Sequence, residues 1–264
     1  MKQWMVIMMC VVVTGAVWAA ESKLGVDVDI AWASKYIWRG LDLGDNKAAF
    51  QPSVNFDLWG SGFSANIWGS WLGGPTNGAE SGLTTEELDY SLTYANTLMK
   101  DSAAQVDYAL TYTYFDYYTH SSSYADMQDL ALALSMPRVF GESGFVPKYT
   151  VAYSWSGRPG PTPGAMSSRL EGAAGFVHIV GLDYNFKAAD LPMTFSASAV
   201  YNDGTYGTHT APGEVDHDWS HIVWGLNTSF KCPVTGAKIT PGIYYQTSMD
   251  DSVNQNDEFW TTLS

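Results

Sequence analysis

The chain has 264 residues, of which 46% are hydrophobic, 14% aromatic and only 15% charged, against roughly one quarter charged in an ordinary soluble domain. That is too apolar for disorder, and the length alone leaves one large domain or two small ones open. Thirteen Lys+Arg against 27 Asp+Glu give a formal net charge of -14, which repels a phosphate backbone and excludes a nucleic-acid partner.

Met1 and Lys2, a mostly apolar run from Trp4 to Val17 and then Trp18-Ala19-Ala20-Glu21 read as a secretory signal peptide over residues 1–19. Cleavage after Ala19 puts Val17 and Ala19 at the small-residue positions, whereas cleavage after Ala20 would put bulky Trp18 there. A retained membrane anchor is the alternative, disfavoured by the length of the run. No later stretch approaches the roughly 18 continuous apolar residues of a spanning helix, so a helical membrane protein is excluded. Cys10 lies inside the signal without the small residue that a lipoprotein site needs before it. The mature chain keeps Cys232 alone, which forbids an intrachain disulfide and a Cys-based metal site.

From Leu24 onward the apolar period is two. Leu24, Val26, Val28, Ile30, Trp32, Tyr36 and Trp38 share one face of a predicted first strand, and Asp27, Asp29, Lys35 and Arg39 the other. The second strand sets Phe50, Val54, Phe56 and Leu58 against Gln51, Ser53, Asn55 and Asp57. A Gly60-Ser61-Gly62 turn leads to a third with Phe63, Ala65, Ile67 and Trp71 on one side. The alternation continues through segments centred on Tyr90, Leu110, Leu132, Val151, Leu182, Ala197, Trp224, Ile243 and Phe259. About twelve strands result, most near or above the ~9 to 11 residues that a tilted strand needs to cross a bilayer.

The gaps at residues 41–49, 73–85, 117–125, 157–171, 203–217 and 248–256 are the longer set. They alternate strictly with shorter ones at 59–62, 98–103, 137–144, 187–192 and 231–236. Outer-membrane barrels sort their outer loops and inner turns in this way, and a soluble sandwich has no reason to. Trp38, Phe50, Phe63, Trp59, Trp71, Trp155, Phe186, Trp219, Phe230, Phe259 and Trp260 fall at or near strand termini, where membrane-interface girdles place aromatics.

Ser34-Lys35-Tyr36-Ile37-Trp38-Arg39-Gly40, followed by Asp45-Asn46-Lys47 and Gln51-Pro52-Ser53-Val54, resembles the TorF family of porin-like proteins, long known as the Gcw-chp proteins of unknown function. Gly62-Phe63-Ser64-Ala65-Asn66-Ile67-Trp68-Gly69-Ser70, Glu87-Leu88-Asp89 and the closing Asp257-Glu258-Phe259-Trp260 extend the resemblance over essentially the whole mature chain. It implies an outer-membrane barrel that passes small solutes, with no substrate or catalytic residue to carry over. Such barrels finish on a terminal aromatic, whereas this sequence stops at Leu263-Ser264. A last strand truncated by a few residues, or a degenerate targeting signal, is the expectation.

Eleven charged side chains are predicted to face the lumen: Asp27, Asp29, Lys35, Arg39, Asp57, Glu87, Asp89, Asp107, Asp129, Lys148 and Asp183. They form either a constriction favouring cations or a paired network that fills the bore. His120 and Ser122, two residues apart as in outer-membrane phospholipases, are the candidates for an esterase, but they fall in a polar loop, and the Asn-Gly that follows the serine in those lipases is replaced by Ser123-Tyr124. The acidic loop from His209 to His221 could hold a calcium ion weakly through its carboxylates. On one extended strand, however, His217 and His221 stand roughly 13 Å apart, too far to share an ion. Pro159-Gly160-Pro161-Thr162-Pro163-Gly164 reads as a stiff loop tip.

The sequence therefore predicts an all-β protein, a closed antiparallel up-and-down transmembrane barrel over residues 20–264 with both termini periplasmic. It is expected to be a non-enzymatic porin passing small hydrophilic solutes or ions, without cofactor or metal. Its partners are outer-membrane lipid, its solutes or cations and the barrel-insertion machinery. The alternative is a plugged structural or adhesive barrel that binds partners through its outer loops.

Overall fold

The computed structural model describes residues 23–73, 86–119, 126–157, 174–205, 217–250 and 253–264. The strands are β1 (Gly25–Ala33), β2 (Ile37–Trp38), β3 (Leu41–Asp42), β4 (Ala49–Asp57), β5 (Phe63–Leu72), β6 (Glu87–Leu98), β7 (Val106–Asp116) and β8 (Met127–Ser135). They continue as β9 (Phe145–Ser156), β10 (Gly175–Ala188), β11 (Leu191–Asp203), β12 (His217–Thr228), β13 (Phe230–Lys231), β14 (Lys238–Ile239), β15 (Pro241–Ser248) and β16 (Glu258–Leu263). Twelve of them close a barrel in the order β1-β4-β5-β6-β7-β8-β9-β10-β11-β12-β15-β16, all neighbours antiparallel, while β2–β3 and β13–β14 are separate two-residue hairpins.

Register fixes which side chains point where. Asp29 pairs with Ser53, Asn55 with Asn66, Ser91 with Thr113, Ser135 with Lys148 and Asp183 with Ser196, so one polar face runs unbroken round the inside. Hydroxyls bond across it, as in Ser91–Thr113 and Thr93–Thr111, both at 2.9 Å. The opposite face carries Val28, Ile30, Ile67, Leu92, Leu110, Leu130, Val180, Leu182 and Ile243, all exposed. Large apolar groups turned outward on nearly every strand are the inverse of a soluble fold and fit a hydrocarbon surround.

Outward aromatics gather in two belts. Phe63 packs on Tyr94 at 4.8 Å and Phe145 stacks on Tyr184 at 4.6 Å near the short turns. Tyr153–Phe176 at 4.8 Å and Tyr201–Trp219 at 5.6 Å lie near the long loops. Between the belts, Val180→Arg is expected to cost about 2–4 kcal/mol, because the outward face meets lipid there. Ser198→Lys, pointing into the bore, should cost far less. Urea titration of both variants folded into vesicles checks the sign of the difference.

The predicted first strand is too long. β1 ends at Ala33, which pairs with Ala49 of β4, and residues 34–48 leave the barrel wall and turn into the bore. Alternation through Tyr36 and Trp38 belongs instead to the small hairpin β2–β3. Ile239 shares the alternation of Ile243 and Tyr245 but lies outside β15, pairing with Phe230 in the second small hairpin.

Candidate functional site

The segment 34–48 forms a hairpin whose turn is Arg39-Gly40, with φ of 45° and 93°. Two consecutive positive φ values define a two-residue type I′ turn, normally Asn-Gly or Asp-Gly. An arginine in the left-handed region costs roughly 1–2 kcal/mol, and its guanidinium contacts offset that cost. Nη2 forms an ion pair with Asp129 of β8, Nη1 donates to Ser154 Oγ of β9 at 3.2 Å, and the group lies 4.7 Å from the Trp38 ring centroid. On the return arm, the Asp42 carboxylate accepts from the amides of Gly44 (3.0 Å) and Asn46 (2.7 Å), closing the loop on itself.

The other anchors spread round the wall. Lys35 Nζ meets Glu258 Oε2 of β16 at 2.6 Å, and Tyr36 donates to Glu87 Oε2 of β6 at 2.8 Å. Burial, and then the Glu87 carboxylate, push the Tyr36 phenol well above its ordinary pKa, so it stays a donor. The Gly40 carbonyl accepts from Gln246 Nε2 of β15 and from Asn254 Nδ2, both at 2.9 Å. Tyr36, Leu41 and Leu43 complete an apolar cluster with Phe115, Met127, Val177, Val200 and Val253, and Trp38 meets Phe115 edge-on at 5.4 Å. The tip crosses from β1 and β4 to β8 and β9, four to six places round a ring of twelve, and hence to the far wall.

At this level the bore is sealed. Each of the twelve barrel strands, from Ala33 on β1 round to Glu258 on β16, contributes an inward residue no more than 5% exposed. Glu87, Asp129, Ser154, His221 and Gln246 are among them, polar groups that an open channel would wet. Toward the short turns the bore is wetter. Asp27, Asp29 and Asp57 are exposed on β1 and β4. Asp107 accepts from Thr97 Oγ1 at 2.8 Å and from Gln105 Nε2 at 3.0 Å, while Lys148 on β9 forms an ion pair with Asp183 on β10. These five carboxylates face one ammonium, with β9 directly across the ring from β1.

All eleven predicted charged residues thus point into the lumen, in two layers. Lys35, Arg39, Glu87, Asp89 and Asp129 belong to the sealed layer, and the other six to the open one. Lys35 and Arg39 arrive there on the hairpin rather than on the first strand. Of the predicted interface aromatics, Phe50, Trp71, Trp155 and Phe259 face outward near the long loops, whereas Trp59, Phe186 and Phe230 lie near the short turns. Trp38 does not belong with them, because the hairpin carries it into the bore against Phe115. Trp260 also faces inward, 9% exposed and stacked 5.3 Å from Tyr244.

His120, Ser122 and residues 159–164 lie outside the described residues. Register shifts between Val200 and Tyr201, with Ser220 as the extra residue of a bulge on β12. His217 therefore faces outward, where it bonds Asp203 Oδ1 at 2.5 Å, while His221 faces the hairpin. The two histidines sit on opposite faces, and among the described residues no group of three or more His, Cys, Asp or Glu could hold a metal ion. Tyr36, Gly40, Ser154, Gln246 and Asn254 carried no signal as site residues, and His221 was weighed only as a metal ligand. The bonds that join Tyr36 to Glu87, Arg39 to Ser154, and Gln246 and Asn254 to Gly40 span 51 to 214 residues along the chain, so no local pattern marks them.

Asp129→Ala is expected to destabilise the fold by about 3–5 kcal/mol, because it strands a buried guanidinium. The double replacement Arg39→Met with Asp129→Leu should recover much of that loss. Urea midpoints of the single and double variants measure the difference.

The molecule is thus a closed twelve-stranded barrel with a polar bore, packed at one level by its first long loop together with Val253 and Asn254. Residues 18–260 match the family described as "Bacterial protein of unknown function (Gcw_chp)", and the chain belongs to it. No curated protein matches the sequence. Among solved structures, the outer membrane protein OprD from Pseudomonas aeruginosa is similar at 12% identity and a TM-score of 0.42, with 90% of this chain and 64% of that chain covered. The chain thus spans less than two thirds of that protein's length.

Proposed function

We propose that the protein is an outer-membrane channel for small hydrophilic solutes, held shut in the described conformation by the hairpin at residues 34–48. The observation that carries this reading is the combination of a polar, acidic bore with a sealed layer built round one hairpin. A barrel built only as a scaffold has no need of a water-lined lower half. An apolar outer face between two aromatic belts suits a bilayer, and the leading segment 1–19 suits export. The long loops face the exterior and both chain ends face the periplasm. The protein acts on its solutes by passage alone, without chemistry, and its carboxylate excess favours cations among ions.

Purified protein in a planar bilayer is expected to be closed for most of the time, with brief openings that pass K⁺ more readily than Cl⁻. Steady conductance from the moment of insertion sinks the gate. Silence from both this protein and a variant without the hairpin sinks the channel, and leaves a plugged barrel whose outer loops bind a partner.

A further inference from the structure

We propose that the cavity beneath the hairpin is a binding site for an uncharged polyol of mono- or disaccharide size. The cavity measures about 530 Å³, inside the ~300–1,000 Å³ range of small-molecule sites. The hairpin roofs it, and one contiguous arc of wall forms its side. Trp68 of β5 pairs with Asp89 of β6, and Thr113 of β7 pairs with Asp129 of β8. Thr111 lies one step further toward the short turns.

Two properties of that arc point to a polyol. First, Asp89 Oδ1 and Asp129 Oδ1 are buried without any hydrogen-bond donor. An unsatisfied carboxylate oxygen is costly, and the soft χ2 torsion of Asp lets either oxygen of each group turn to the cavity. Sugar hydroxyls supply the donors that these two oxygens do not receive from the protein, while the Thr111 and Thr113 hydroxyls can donate or accept. Second, Trp68 lines the same cavity half-buried, an aromatic surface against which the C–H face of a sugar ring packs.

Charge argues against the alternatives. Lys35 and Arg39 also line the cavity, each held by its own carboxylate. An ammonium ligand would sit beside two fixed cations, and an anionic ligand beside Asp89 and Asp129. An uncharged polyol brings donors and no charge. The site depends on the channel reading only for the route of entry, from the short-turn end.

Calorimetric titration of the purified full chain with D-glucose, sucrose and L-arginine tests the site without measuring conductance. The expected result is saturable, millimolar binding of at least one sugar, weakened at least tenfold by Trp68→Leu and by Asp89→Ala and unchanged by Trp219→Phe on the outer face. If Asp89→Ala fails to fold, judged by heat-modified gel mobility, Thr113→Val replaces it with the same expected loss. Three outcomes overturn the proposal: no saturable sugar binding, sugar binding indifferent to the cavity substitutions, or tighter binding of L-arginine than of either sugar. A conducting protein that binds no sugar removes this site and leaves the channel standing.

Discussion

Replacing residues 34–48 with a tight Asn-Gly turn is expected to convert a mostly closed barrel into one that conducts steadily, with a time-averaged current at least tenfold higher. The ladder permits the deletion. Ala33 and Ala49 are direct partners, so the shortened connection keeps every β1–β4 pair and gives up, from the wall, only the marginal bonds from the Ser34 amide to the Thr261 carbonyl, from the Thr261 amide to Ser34 Oγ and from the Gly73 amide to the Ala48 carbonyl. The other losses lie inside the bore: the ion pairs of Lys35 and Arg39, the Tyr36–Glu87 bond and the apolar contacts of Leu41 and Leu43. Their partners on the wall become wetted, and a hydrated carboxylate no longer needs a partner. The variant should still insert, because the lipid-facing surface is unchanged. A correctly folded deletion that stays electrically silent would show that another part of the chain closes the bore.

Gly40→Val should open the channel without shortening the chain. A Cβ at this position would lie 2.6 Å from His221 Nδ1 and 3.0 Å from Val253 Cγ1, on a backbone with φ of +93° that side chains with a Cβ rarely adopt. The β-branched group cannot fit, so the tip must withdraw and release its carbonyl from Gln246 and Asn254. We expect frequent long openings and a loss of about 2–4 kcal/mol, the sum of backbone strain and two broken hydrogen bonds. Adding His221→Ala removes the ring but not the strain, so the double variant should recover only part of the closure. Full recovery would mean that the ring clash alone governs the tip. No change in gating for Gly40→Val would mean that the tip is not the latch.

The twelve spanning strands, their alternating long and short connections and the lumenal placement of nine of the eleven charged side chains, all but Lys35 and Arg39, are readable along the sequence. Each depends on relations between neighbours. Period two assigns a side to every residue once one side is known, and net polarity tells which side is wet. Asp27 and Asp29 against Val26 and Val28 suffice to orient β1.

Trp38 marks where this logic stops. Its alternation with Tyr36 is as regular as that of Trp32 with Ile30, yet one pair faces outward and the other is packed inside the barrel. A hairpin in the bore and a strand in the wall share the same period, and nothing local separates them. Only the far partners do: Glu87, Asp129, Ser154, Gln246 and Glu258, drawn from five strands that closure brings to one level. The sequence by itself determined the barrel, because alternating solvation is a property of adjacent residues. Occlusion of the bore was decided by the tertiary structure, because it is a property of the closed ring, in which residues distant along the chain meet across a diameter.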